Sequence, residues 1–192
     1  MEKMTGGSQE RSAEAGLALS AALVASGPAP ALGAGLTTFG RFVGVWDLLV
    51  TYDHAGGQPE RWTGEWTWAW VLDGCAIQDV WRVPPRASST GDEPDAEPPR
   101  GFGTTVRLYD PEVDAWHVTW FGAVSHRAQA FVAREVDGEI ILEALQPGPE
   151  RTRWVFSEIT PDSFHWRNVS SDDDGRTWVV AQEMVARRRQ AA

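Results

Sequence analysis

Apolar and polar residues alternate with a period of two through ten short segments, at 43–52, 61–71, 75–83, 102–109, 116–121, 129–136, 140–145, 153–159, 164–170 and 177–185. A period of two sends successive side chains to opposite faces of an extended chain, so each segment is read as a half-buried β-strand. Turn chemistry lies between them: HAGG at 54–57, DG at 73–74, YDPEVD at 109–114, DG at 137–138, PGP at 147–149, TPD at 160–162 and DDDG at 172–175. No intervening stretch is long and periodic enough for the helical crossovers of a parallel sheet, which predicts an antiparallel meander. So many strands in an open sheet would leave two unpaired edges, and closure removes them. The expected fold is all-β, a closed antiparallel up-and-down barrel, with a two-sheet sandwich as the alternative.

The flanks differ in composition. Residues 1–38 form an Ala/Gly-rich extension, read as a helix capped by Ser12 and running to 25 or as a poorly ordered tail. Residues 39–187 form the barrel, interrupted at 84–100 by a proline-rich segment read as a long mobile loop, and 188–192 are a basic tail. A length of 192 residues suits one domain with a real core. The apolar run 17–25 lacks the positively charged start of an export signal and is too short to cross a bilayer, so a cytoplasmic location is expected with no membrane partner. A buried thiol is expected at Cys75, the one cysteine, which sits in an apolar stretch. The net charge of −10 repels phosphates and argues against a nucleic-acid partner. A monomer or homodimer fits these features.

The eleven tryptophans change the picture. Trp62, Trp66, Trp68 and Trp70 share one parity of the second segment, and Trp81, Trp116, Trp120, Trp166 and Trp178 fall on the apolar parity of theirs. Indoles converging inside a barrel can stack on a flat ligand and offer it N–H groups, and barrels of this size can hold one small molecule. The simpler alternative is that they fill the barrel. Polar residues on the same faces are the next candidates, because burial without a partner is costly: Asp79, Asn168, Gln182 and Arg153, the last able to pair with a buried carboxylate. Burial of Asp79 would raise its pKa and suit it to acid–base work near neutrality. Glu65, Gln78, Arg82, Arg107, Tyr109, His117, Arg167 and Glu183 occupy the opposite parity and are read as solvent-facing. A bulge would turn Tyr109 or His117 inward and make either the catalytic acid–base candidate.

Paired Cys or His spacing for a metal, a nucleophile elbow, a phosphate-binding glycine loop and a dinucleotide fingerprint are all absent from the sequence, which predicts no metal and no cofactor. His54, His117, His126 and His165 are scattered. DDDG at 172–175 lacks the later glutamate of a calcium loop and is read as a hairpin turn.

Several motifs together carry a resemblance: FGRFVGVWD at 39–47, WVLDG at 70–74, IQDVW at 77–81, YDP at 109–111, WHVTW at 116–120, ITPDSFHW at 159–166 and DGRTW at 174–178. In this order they resemble a family of bacterial lipocalin-like (calycin-type) proteins of mostly unknown function. The resemblance implies a small barrel and carries over no catalytic residue. Related barrels include cofactor-independent cyclases and isomerases, an analogy of fold only.

The function expected from these readings is a cofactor-independent enzyme. It would hold a hydrophobic small molecule between tryptophan walls and promote cyclisation, isomerisation or a related proton transfer, with Asp79 or a neighbouring polar group handling the proton. On that reading Asp79→Asn lowers turnover and leaves the fold intact. The alternatives are a non-catalytic carrier or sensor of lipophilic molecules, and an interaction domain using an outward stripe from Trp62 to Trp70.

Overall fold

A computed structural model describes residues 6–52, 58–86, 98–146 and 149–190 of the chain. The expected turn at 54–57, the centre of the 84–100 loop and most of the turn at 147–149 lie outside the described residues. Ten strands form: β1 Gly44–Tyr52, β2 Glu60–Val71, β3 Ala76–Val83, β4 Gly101–Asp110, β5 Ala115–Gly122, β6 Arg127–Val136, β7 Glu139–Ala144, β8 Arg151–Ser157, β9 Ser163–Ser171 and β10 Val179–Arg188. Each pairs antiparallel with its neighbours in sequence, and β1 pairs with β10 to close the barrel. The all-β closed meander is therefore the observed architecture. Among the described residues no helix is long and apolar enough to cross a membrane.

The N-terminal extension has two parts. Helix α1, Gly6–Leu23, is exposed from 9 to 22 and meets the barrel at its end, where Leu72 N–H donates to the Leu23 carbonyl at 2.9 Å and Ala25 N–H to the Trp70 carbonyl at 2.8 Å. The chain then crosses the β2–β3 turn, where Ala29 N–H donates to the Gly74 carbonyl at 3.0 Å. Gly74 is required there. Its φ of 80° is left-handed, and a Cβ would stand 2.2 Å from the Gly27 carbonyl oxygen.

From there two 3-10 turns kinked at Gly33, spanning Pro30–Leu36, and a single helical turn, α2 Thr37–Gly40, enter one end of the barrel as a plug. Leu36, Phe39 and Phe42 recur every third residue and are all buried. Phe42 lies 4.8 Å from Phe164 and 5.2 Å from Phe156 between ring centres, and Phe39 meets Trp116 edge-on at 5.1 Å. Such contacts favour offset and T-shaped geometries. The Trp46 indole donates to the Phe42 carbonyl at 2.7 Å, so the plug is bonded as well as packed.

The β1–β10 seam is fastened from the C-terminal side. Arg188 donates to the backbone carbonyls of Arg41 at 2.7 Å, Val43 at 2.8 Å and Pro161 at 2.7 Å, and its guanidinium lies 4.1 Å over the Trp46 ring. Arg189 adds ion pairs to Asp47 and Glu65.

Two expectations are corrected. Cys75 is exposed, because the chain turns at 72–75 and the thiol falls on the turn instead of in the strand. Arg107 is fully buried, because β4 turns Gly101, Gly103, Thr105 and Arg107 inward and Phe102, Thr104, Val106 and Leu108 outward. The reason is steric. A Cβ at Gly101 would stand 2.3 Å from the Trp81 ring, and one at Gly103 would stand 2.3 Å from the Trp120 ring. The small residues face inward so that the indoles of β3 and β5 can lie across them.

Candidate ligand-binding site

The barrel is filled at one end and hollow at the other. The plug and the rings of Trp46, Trp68, Trp116, Phe156 and Phe164 occupy the first half. The other half, toward the turns after β1, β3, β5, β7 and β9, holds an open cavity of about 730 Å³. That volume is within the range of roughly 300–1,000 Å³ typical of small-molecule pockets.

Its wall is aromatic with a few polar groups. Trp66, Trp81, Trp120, Trp154 and Trp166 line it with Tyr52, Thr105, Gln129, Gln146, Asn168, Gln182 and Met184, and Arg100 stands at the mouth. The indoles lock one another edge-on: Trp81 against Trp120 at 5.9 Å, Trp120 against Trp154 at 6.0 Å, and Trp154 against Trp166 at 5.4 Å. Trp81 Nε1 donates to the Met184 sulfur at 3.1 Å. Burial pushes the Tyr52 hydroxyl above its ordinary pKa, against the nearby Arg100 charge, and keeps it a neutral donor.

Six of the twelve ligand-binding candidates read from the sequence therefore meet in this wall: Trp66, Trp81, Trp120, Trp166, Asn168 and Gln182. Trp68 and Trp116 belong to the packed end, and Trp70 lies against the plug, where a Cβ at Gly40 would meet its ring at 2.7 Å. Trp62 faces inward outside the lining, with Arg100 4.2 Å over its ring. The stripe from Trp62 to Trp70 thus points into the barrel and is not an outer docking face. Arg153 and Trp178 meet each other on the outside of β8, 4.2 Å apart, and Arg153 pairs with Glu143. Trp178 leaves the inner face because it precedes β10, whose register with β9 shifts between Val180 and Gln182. Trp154, Tyr52, Gln129, Gln146, Thr105 and Met184 were missed. A strict alternation through 152–156 would have found Trp154.

The candidate acids stand outside the lining. Asp79 is 1% exposed and lies behind Thr105 and Trp66 in the wall. Its Oδ2 accepts from Arg107 Nη1 and its Oδ1 accepts from the Thr105 N–H at 3.2 Å. The Trp66 indole N–H faces the carboxylate without reaching good hydrogen-bond geometry. Burial pushes the Asp79 carboxyl up, and the Arg107 guanidinium opposes this. Burial likewise pushes Arg107 down. Arg107 stacks 4.0 Å over Trp68 and 5.0 Å over Phe39, with Nε and Nη2 unpartnered. Tyr109 points inward at the plugged end, where its hydroxyl donates to Asp114 at 2.8 Å and this bond raises its pKa. His117 is exposed on the outside, 3.2 Å from Asp110, whose pKa it lowers. No group of three or more potential metal ligands occurs among the described residues.

The turn at 172–175 borders the mouth strands, and its geometry is that of a hairpin. Asp173 accepts from the backbone N–H of Thr177 at 2.8 Å and of Arg176 at 2.9 Å, and from the hydroxyls of Thr177 and Ser171. These bonds, led by the Thr177 N–H, lower its pKa from 3.8 to about 2. A carboxyl depressed on folding stabilises the fold above its unfolded value and loses that contribution as pH falls through the folded one. Stability is expected to fall between pH 3.8 and about 2 through this group. In Asp173→Asn that limb of the denaturation profile, followed by circular dichroism, is expected to flatten; an unchanged limb would show that the turn bonds carry no stability.

No protein-family model matches the chain, and no curated protein does. Among solved structures it is similar to an S-type phycobiliprotein lyase, CPES, from Guillardia theta, with a TM-score of 0.51 and 17% identity over 81% of this chain and 93% of that one. It is also similar to Rv2717c from M. tuberculosis, with a TM-score of 0.53 and 13% identity over 85% of this chain and 99% of that one. At these identities the likeness is one of fold, and it extends to a barrel family without singling out the lipocalins or calycins.

Proposed function

We propose that this protein binds one small, flat, largely apolar organic molecule in the hollow half of its barrel. The observation that carries the reading is the half-filled interior: the same barrel that is packed solid around Phe42 leaves about 730 Å³ open between five indoles at its other end. A protein interior is normally close-packed, so a void of this size is a place for something else. Binding without chemistry is the reading best supported, because the candidate acids Asp79, Tyr109 and His117 lie off the lining. Cofactor-free turnover is the second reading; it is favoured by the burial-raised Asp79 carboxyl behind Trp66, and a lyase has the same fold.

Pyrene, whose absorption overlaps tryptophan emission, tests the proposal. Titration into the full chain is expected to quench that emission and sensitise pyrene at a one-to-one stoichiometry. Gln129→Trp, which narrows the cavity with a further indole, is expected to weaken pyrene binding while the melting temperature holds. Equal transfer in the variant, or none in the wild type, would remove the cavity from the account.

A further inference from the structure

Strands β9 and β10 set Asn168 and Gln182 directly opposite each other, both in the cavity wall. Carboxamides so placed can satisfy one another. Gln129 and Gln146 do so elsewhere in the wall, where Gln129 Nε2 donates to Gln146 Oε1 at 3.2 Å. Gln146 spends its own N–H groups on the Glu150 carbonyl at 2.9 Å and the Thr152 hydroxyl at 3.3 Å.

Asn168 and Gln182 behave differently. Asn168 Oδ1 and Gln182 Nε2 are both shut off from solvent and both lack a hydrogen-bond partner. One is an acceptor and the other a donor. Buried polar atoms are nearly always bonded, so two orphans of opposite sense on neighbouring strands of a ligand cavity call for a common explanation. Trp166 Nε1 and Thr105 Oγ1, also in the wall, are unpartnered too, and add a second donor and a hydroxyl able to act in either sense.

Building on the binding reading above, we propose that Asn168 and Gln182 recognise a ligand group in which a carbonyl oxygen stands beside a hydrogen donor, as in a ring lactam or imide. Both residues are partly buried in the cavity wall, and rotation of the two carboxamides about their last torsions turns these closed-off atoms toward the ligand, whose carbonyl accepts from Gln182 Nε2 while the adjacent N–H donates to Asn168 Oδ1. A bare hydrocarbon fits the indoles and leaves both atoms unpaired. A carboxylate only accepts, and would set its charge against the Asn168 oxygen.

Three probes of similar size separate these cases: phenanthridin-6(5H)-one, its N-methyl derivative and phenanthrene, each titrated against the full chain by quenching of tryptophan emission. The lactam is expected to bind about tenfold more tightly than the N-methyl compound, the worth of one neutral hydrogen bond in a desolvated site. In the double variant Asn168→Leu/Gln182→Met that ratio is expected to fall to about one, with phenanthrene affinity kept within about twofold. The same variant is expected to melt no lower than the wild type, because it removes two unpaired polar atoms; a pair kept for structure would make it melt lower, and that result overturns the proposal. A wild-type ratio near one, with phenanthrene still bound, overturns it and leaves the binding reading standing. Failure of all three probes to bind removes both. A double variant that does not fold is the extreme of that lower melting and overturns the proposal as well.

Discussion

Asp79→Asn is expected to lower the free energy of unfolding by about 3–5 kcal/mol, the typical cost of removing one partner from a buried ion pair. The carboxylate is 1% exposed and Arg107 is 0% exposed. An arginine stays protonated at any working pH, so the variant leaves a cation in the core between Trp68 and Phe39 with no counter-charge. The guanidinium already has Nε and Nη2 unpartnered, and the lost contact is its one charged bond among the described residues. Exchanging both residues, as Asp79→Leu/Arg107→Met, is expected to recover the loss, because the desolvation of two charges disappears with them. Urea unfolding followed by tryptophan emission measures both. A single-variant loss under about 1 kcal/mol would mean that the pair is not desolvated as the geometry indicates. Any loss of activity in Asp79→Asn must therefore be separated from this effect on folding before Asp79 is given a chemical role.

Phe42→Ala is expected to cost a similar amount, about 3–5 kcal/mol, by deleting a buried ring and leaving a cavity. Phe42 is 0% exposed and lies within 5.3 Å of the ring centres of Phe164, Phe156 and Trp68. The strands around it are tied into a closed ladder and have little freedom to collapse into the space, which places the cost toward the upper end of that range. A midpoint shift in urea with an unchanged slope is the expected signature. A loss below about 1.5 kcal/mol would show that the plug is not part of the cooperative core.

The strands were legible because one rule governs them all. With β1 to β10 each half-buried, alternation alone located every one, and it oriented β2 correctly from Trp62 through Trp70. Where the rule failed, a neighbour's volume outweighed the residue's own hydropathy. In β4 the apolar residues Phe102, Val106 and Leu108 face out because Trp81 and Trp120 need Gly101 and Gly103 beneath them. The inward turn of Arg107 had a signal: Asp79 on an apolar face calls for a cation on the next strand. The plug was hidden by its composition, although Leu36, Phe39 and Phe42 at intervals of three mark an apolar helical stripe. Trp68, Trp70 and Trp116 fell in the packed half of the barrel because alternation gives the face of a strand and says nothing of the depth at which packing stops. Depth is set by the plug, which arrives from outside the strand pattern.

The pairing of β1 with β10 joins the two ends of the ordered sheet, and Arg188 fastens it to carbonyls near residue 42. During synthesis, then, nine strands can assemble in turn while the first keeps an open edge until the last emerges. Contacts of such long sequence separation slow folding, and the waiting edge is able to pair with other nascent chains. Residues 179–189 act as the clasp of the barrel, and a chain released before they are made would be an aggregating sheet in its place.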